Sequence, residues 1–174
     1  MIIFLGMAGS GKSTQGQILA EKNNWQWISA GQVLRENGNF EELLKTGELA
    51  DTATIERLMS EKFEEARKNG KKIVLDGHPR NAEQADWLIE HYLDDIEAVI
   101  YVEVPKDELV VRIMKRGRED DTPEAVKRRF EIAEQNIYSI ISLFNAKNVR
   151  VERVNGVGTV EEVTQRIEDV LDNE

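Results

Sequence analysis

The chain of 174 residues has no cysteine, two histidines and three prolines. Without cysteine there is neither a disulfide framework nor a thiolate-bound zinc, and two histidines make a histidine-built metal site a poor fit; no structural zinc is expected. The composition suits a reducing compartment. Long apolar runs are missing as well. Met1–Leu5 lacks a basic leader and falls far short of a signal-peptide core or the ~20 residues that span a bilayer, so the expectation is a cytoplasmic protein with no membrane attachment. An excess of positive charge is also absent: 23 Lys and Arg stand against 33 Asp and Glu, a net charge of -10. A broad surface for a nucleic-acid backbone needs clustered basic residues, so nucleic acid is not expected as a partner.

What is present suffices for one substantial core, since 40% of the residues are hydrophobic, and one domain with mobile attachments is expected. Nothing in the pattern asks for an obligate partner chain, so a monomer is expected. Short apolar runs at Ile2–Leu5, Trp25–Ile28, Lys72–Leu75, Ala98–Val104 and Val149–Val154 read as strands, and amphipathic stretches separate them. That alternation predicts a five-stranded parallel sheet with helices on both faces. Trp25, Trp27 and Trp87 lie inside these elements and read as packing residues.

Two intervals interrupt the alternation, Asn37–Asp51 and Gly117–Thr122, and both are expected to move. After the second, Thr122-Pro123-Glu124 reads as a helix start, with Thr as N-cap, Pro in the first turn and an acid at the positive end of the dipole. Against the acidic background, Arg112, Lys115, Arg116, Arg118, Lys127, Arg128 and Arg129 form a basic island that suits an anionic ligand. Arg112 and Arg116 stand four residues apart on one helix face and repel unless an anion intervenes; solvated arginines beside acids such as Glu108 are the alternative. Lys127 and Arg128 read as solvated charges.

Gly6-Met7-Ala8-Gly9-Ser10-Gly11-Lys12-Ser13 follows the first strand directly and opens a helix over Lys12–Lys22. Glycines at that spacing let backbone N–H groups and the helix dipole face a phosphate chain. Lys12 then reaches the β- and γ-phosphates, and the Ser13 hydroxyl sits on Mg²⁺. A ligand-free turn would need neither the Lys-Ser pair nor three glycines. Asp76 closes the strand Lys72–Leu75, where parallel sheets present their ligands; Asp76-Gly77 as an ordinary turn pair is the alternative.

Three further motifs, Ser29-Ala30-Gly31-Gln32-Val33-Leu34-Arg35, Asp76-Gly77-His78-Pro79-Arg80 and Arg116-Gly117-Arg118-Glu119-Asp120-Asp121, join the glycine loop. With them the chain resembles the nucleoside monophosphate kinases, most closely the adenylate kinases, from its first strand to its last helix. The resemblance implies an α/β, three-layer P-loop NTPase fold with a small acceptor-binding lobe and a short lid lacking the extra hairpin of longer members. The core would comprise residues 1–29, 70–116 and 123–174, the acceptor region 30–69 and the lid 117–122.

The resemblance further implies ATP and a nucleoside monophosphate as substrates with Mg²⁺ as cofactor. Gly6, Gly9, Ser10, Gly11, Lys12, Ser13, Thr14 and Arg112 would take ATP, with Arg112 against its base. Ser29, Gly31, Arg35, Ala50, Gly77, Arg80 and Gln84 would take the acceptor. Lys12, Arg80, Arg116, Arg118 and Arg129 would act on the transferring phosphates, and Asp76 would hold Mg²⁺ through water. Asp120 and Asp121 either orient Arg118 and Arg129 or form an exposed acidic turn. Ser29 also reads as a helix N-cap, and Asn81 with Gln84 as a reciprocal cap.

Gln84 matches the position that reads adenine and favours AMP, whereas Ala30 in place of the usual Thr points toward pyrimidine monophosphates. Gln32 and His78 also depart from the usual Asp and Phe, and His78 reads as a packing residue. Ser13 stands where adenylate kinases usually carry glycine, which suits a direct Mg²⁺ contact. The stretch from Arg35 to Gly47 is shorter than usual, so the acceptor lobe is expected to have lost a helix. Rival readings are a uridylate/cytidylate kinase, a small-metabolite kinase, a nucleotide-dependent switch or hydrolase, and a non-catalytic nucleotide-binding protein.

Overall fold

The computed structural model describes residues 1–172. Five strands, β1 (Ile2–Leu5), β2 (Gln26–Ser29), β3 (Ile73–Asp76), β4 (Ala98–Glu103) and β5 (Arg150–Asn155), form one sheet in the order β2-β3-β1-β4-β5, and every pairing is parallel. Among the described residues eight α-helices, with a 3-10 turn at Leu93–Asp95, connect and cover them: α1 (Lys12–Asn23), α2 (Ala30–Asn37), α3 (Glu41–Thr46), α4 (Thr52–Lys68), α5 (Ala82–Tyr92), α6 (Lys106–Arg116), α7 (Pro123–Ala146) and α8 (Val160–Asp172). None of the described helices is long and apolar enough to cross a membrane.

The two-residue period of the strands divides the core. Ile3, Leu5, Leu75 and Val99 point into one cluster with Phe63, Leu88 and Phe144. Ile2, Phe4, Val74 and Ile100 point into the other with Leu19, Val163 and Ile167. All four residues of β1 are buried, as a strand covered on both faces must be. A third cluster, Leu109, Ile113 and Phe130, fixes α6 against α7 beside the glycine loop.

Four of the five strands differ from their expected bounds by about a residue. Apolar patterning stops at Ile28 and Leu75, but the ladder continues through the polar pair Ser29↔Asp76. Both residues thereby stand at the carboxyl edge of the sheet. The order of strands reverses at β1, with β3 on one side and β4 on the other, which puts the ligand crevice above the ends of β1 and β3.

The interval Asn37–Asp51 departs from expectation. A helix is present in the shortened stretch: α3 spans Glu41–Thr46 and ends at Gly47, whose N–H bonds Leu43 O from a left-handed φ of 76°. A side chain could not replace that hydrogen, because a Cβ on Gly47 would lie 2.4 Å from Ala125 O. Gly117–Thr122 is a short connection as expected. Gly117 closes α6 in the left-handed region, and Thr122 Oγ1 accepts from Ala125 N at 3.1 Å with Pro123 behind it.

Candidate active site

The glycine loop leaves β1 and turns into α1 through three left-handed residues, Gly6, Gly9 and Gly11. At Gly6 a Cβ would lie 2.7 Å from Ser10 Oγ, and at Gly9 it would lie 2.9 Å from Ile113 Cγ1, so the tight wrap admits only hydrogen at these positions. Lys12 folds back over the loop and donates to Met7 O at 2.9 Å. Ser10 is buried and its hydroxyl has no protein partner, while Thr14 is exposed. Gly11 caps α1 without a side chain, so the first N–H groups of the helix face the crevice with the positive end of its dipole.

Asp76, 1% exposed, accepts from Ser13 Oγ at 2.6 Å through Oδ2. Its Oδ1 is buried without a partner. A carboxylate oxygen left in that state at the end of a strand calls for a ligand or water, which favours the functional reading of Asp76 over the plain turn. Among the described residues no three His, Cys, Asp or Glu side chains cluster to cage a metal. One carboxylate plus one hydroxyl beside a phosphate-binding loop is nevertheless the donor set that suits Mg²⁺, which takes much of its coordination from phosphate and water.

Beside Asp76, Arg80 is held by its Nε donating to Gly77 O at 2.8 Å. A Cβ on Gly77 would lie 3.3 Å from Arg80 Nη2, and one on Gly31 would lie 3.4 Å from Arg35 Nη1. The two glycines therefore make room for two guanidinium groups at one place. Ser29 caps α2, its hydroxyl facing Gln32 N at 3.5 Å. Gln32 itself turns outward to Glu36.

The lid acids are engaged rather than exposed. Asp121 receives Arg116 through two bonds of 2.9 and 2.6 Å and Arg129 through one of 2.9 Å. Asp120 holds Arg129 at 2.6 Å and lies 3.8 Å from Arg35. Arg116, rather than Arg118, shares Asp121 with Arg129; Arg118 makes no ion pair among the described residues, though Asp120 and Asp121 act on its charge. The repulsion between Arg112 and Arg116 is relieved by acceptors on separate sides: the Glu108 carboxylate and the Gly156 carbonyl take Arg112, and the Asp121 carboxylate takes Arg116. Arg112 thus sits between the β5–α8 connection and Gly11, where a Cβ would lie 4.0 Å from its Nη1.

Electrostatics binds these groups into one site. Burial, partly opposed by Asp76 and reinforced by Arg80, Arg116 and Arg118, lowers the Lys12 pKa to about 8. Burial and the charges of Arg129 and Arg35 lower that of Arg80; burial and Arg116 lower that of Arg118. Each cation feels the next, and neither Arg80 nor Arg118 has a carboxylate at ion-pair distance among the described residues. Such a cluster gains most from a multiply charged anion.

A second cavity opens from the crevice, lined by Ala30, Leu34, Ala50, His78, Arg80 and Gln84 among others. Asn81 caps α5 by accepting from Gln84 N at 2.9 Å, and Gln84 Oε1 accepts from Arg80 N at 2.8 Å. The cap exists, but the glutamine reaches one residue beyond the N-cap. Two features escaped the sequence reading. His78 lines this cavity, and Arg128 forms a two-pronged pair with Glu48 at 2.7 and 3.1 Å. Eighty residues separate that pair, so no local spacing signals it; Lys127, 79% exposed at its side chain, does remain solvated. Trp25, Trp27 and Trp87 pack against the cores.

The adenylate kinase family model matches residues 4–149. The adenylate kinase of Thermus thermophilus is 33% identical over 185 residues, covering 98% of this chain and 96% of that protein. That of Leptospira biflexa is 33% identical, covering 95% and 96%, and that of Parasynechococcus marenigrum 34% identical, covering 98% and 97%. With a parallel sheet, a glycine loop at its switch point, and Lys12, Arg80 and Arg118 gathered there without ion pairs among the described residues, this chain is a phosphotransferase of the nucleoside monophosphate kinase type and belongs to the adenylate kinase family.

Proposed function

We propose that the chain catalyses reversible, Mg²⁺-dependent transfer of the γ-phosphoryl group of ATP to AMP, giving two ADP, as a cytoplasmic monomer. The observation that carries this reading is Arg80, a guanidinium fixed by Gly77 O, without an ion-pair partner among the described residues, between the glycine loop and the second cavity. A phosphate passing from one side to the other would meet Arg80 throughout. An enzyme that only hydrolysed ATP would have little use for a guanidinium on the acceptor side.

In this reading Gly6, Gly9, Ser10, Gly11, Lys12, Ser13 and Thr14 hold the donor phosphates and Arg112 supports the donor base. Arg35 and Arg80 take the acceptor phosphate in the space that Gly31 and Gly77 leave, and Ser29, Ala50 and Gln84 complete the acceptor side. Arg116, Arg118 and Arg129 move from their present contacts onto the transferring group. Residues 30–69 and 117–122 form the moving lobe and lid on the core. Ser13 and Asp76, the latter through water, would hold Mg²⁺, which when bound neutralises charge on the donor phosphates.

Phosphoryl transfer needs positioning and charge neutralisation rather than a covalent intermediate. The acceptor oxygen of a monophosphate is already ionised near neutral pH, so no general base is required. Water is the competing acceptor. The contact of Thr122 with Lys45 O, at 3.3 Å, joins the start of α7 to the acceptor lobe in the way a closed, water-excluding site requires.

The test is the initial rate of ADP formation from Mg-ATP with AMP, CMP, UMP, GMP or dAMP offered separately. AMP is expected to be the preferred acceptor. Equal rates with CMP would refute the base reading, and the buried methyl of Ala30 in the cavity wall would then support a pyrimidine acceptor.

A further inference from the structure

The start of α7 meets residues 44–48 of the acceptor lobe at four points. Thr122 Oγ1 donates to Lys45 O at 3.3 Å, and Arg129 Nη2 donates to Leu44 O at 2.8 Å. Gly47 lies so close to Ala125 that a Cβ would stand 2.4 Å from its carbonyl oxygen. Arg128 completes the set, giving Nε and Nη2 to the two carboxylate oxygens of Glu48 at 2.7 and 3.1 Å. The side chains of that pair are 39% and 49% exposed, which suits a tie that can part and re-form. On its own helix Arg128 also has Glu131 at 3.6 Å, so the guanidinium keeps a carboxylate neighbour when the tie parts.

The Arg129 contact does not last through a reaction cycle. Under the proposed function Arg129 moves onto the transferring group and gives up Leu44 O. Successive residues of a helix are turned by about 100° from one another, so Arg129 lines the crevice while Arg128 reaches the lobe. The Arg128–Glu48 bond is then the charged link that stays. Glu48 stands in the wall of the second cavity, and Leu49 and Ala50 follow it there. Holding residue 48 from outside fixes where those two side chains stand inside.

We infer that Glu48 and Arg128 are positioning residues for the acceptor: their two-pronged bond holds residues 47–50, one wall of the acceptor cavity, against α7 while Arg129 is engaged with phosphate. The inference rests on the reading of the second cavity as the acceptor side. Neither side chain has to touch the transferring phosphate, so the pair acts on acceptor binding and not on the chemical step.

The experiment measures acceptor KM, ATP KM and kcat in wild type, Glu48→Gln, Arg128→Gln, Arg128→Lys and the double Gln variant, with whichever nucleoside monophosphate the wild type turns over fastest. Each single Gln variant is expected to raise the acceptor KM about three- to fivefold, the scale of a well-formed pair near the surface, with ATP KM and kcat within about twofold. Arg128→Lys keeps the charge but not the fork and falls between. The double variant matches the single ones, because either change already breaks the bond. Glu48→Gln is the decisive case, since losing a negative charge would by itself attract an anionic acceptor and lower its KM. Lys127→Gln, which removes a cation one position away on an exposed side chain, leaves the acceptor KM unchanged. A lower KM in Glu48→Gln, additive single effects, a loss confined to kcat, or an equal rise in Lys127→Gln overturns the inference.

Hydrogen exchange reads the same tie without substrate. The amides of Leu44 and Gly47, bonded to Phe40 O and Leu43 O, should exchange about threefold faster in Glu48→Gln and Arg128→Gln, with those of β1 and β4 unchanged. Exchange equal to wild type also overturns the inference. If no monophosphate is turned over, the acceptor reading itself fails, and hydrogen exchange alone decides whether the pair holds the wall.

Discussion

Ser13 Oγ donates to Asp76 Oδ2 across 2.6 Å, tying the start of α1 to the end of β3 over 63 positions of sequence. The bond uses one carboxylate oxygen and leaves Oδ1 buried without a partner. Asp76→Asn keeps the side-chain shape but removes the charge and half of the acceptor capacity. We expect the Mg²⁺-supported rate to fall roughly 10²–10³-fold, comparable to losing one preorganised electrostatic contact, with the fold intact by circular dichroism. A loss below fivefold at saturating Mg²⁺ would argue for a merely structural turn.

Lys12 supplies a pH signature. Its pKa is lowered to about 8 by burial first, with Arg80, Arg116 and Arg118 adding to the effect. A depressed lysine binds fewer protons folded than unfolded between about pH 8 and its ordinary value near 10.5, so its burial penalty is present below that window and is relieved as pH rises through it. Bound phosphates would raise the pKa again. ATP binding at pH 8 should therefore take up about half a proton, seen as a calorimetric heat that varies with the ionisation enthalpy of the buffer. Binding in Lys12→Ala should lose that dependence.

Asp121 is the hinge between two arginines. Burial pushes its carboxyl up, but the hydrogen bond from Arg116 and the charges of Arg116, Arg129 and Arg118 outweigh it and hold the pKa below the usual value. The stability this confers is complete above the unfolded pKa near 3.8 and is lost as pH falls through the lower folded value. Asp121→Asn should cost about 2–4 kcal/mol at pH 7, because two guanidiniums are left facing each other, and should flatten the acid limb of the stability curve. Urea denaturation at pH 7 and pH 3 checks both parts.

Gly47 closes α3 directly against Ala125 of α7, with no room for a Cβ. Gly47→Ala meets that contact and a left-handed backbone at once, and should cost about 1–2 kcal/mol. The strain is relieved by parting α3 from α7. Dyes placed at Glu42→Cys and Lys127→Cys, where no native cysteine competes, should report a longer mean distance in the Gly47→Ala background. The AMP KM should rise several-fold as a consequence. An unchanged distance would mean that the α3–α7 contact does not hold the lobe down.

The parallel sheet, the glycine loop and the position of Asp76 were legible because each rests on local signals: two-residue periodicity, glycine spacing, and a polar residue ending an apolar run. The Thr122-Pro123 helix start was readable for the same reason. What escaped is long-range. Arg128 with Glu48, Arg129 with Leu44 O, and α3 seated on α7 depend on how lobes meet, which neighbouring residues do not encode. The helix before Gly47 is not signalled by the length of the stretch, since six residues closed by a left-handed glycine suffice to make one. His78 as a packing residue agrees with its full burial and its contact with Trp87.

The most direct test of the account follows equal amounts of ATP and AMP with Mg²⁺ by ³¹P NMR. Two ADP should form for each AMP consumed, approaching the same equilibrium from ADP alone, with no inorganic phosphate released and with nearly all turnover lost in Lys12→Ala. Inorganic phosphate accumulating at a rate indifferent to AMP, or near-normal turnover in Lys12→Ala, would contradict it.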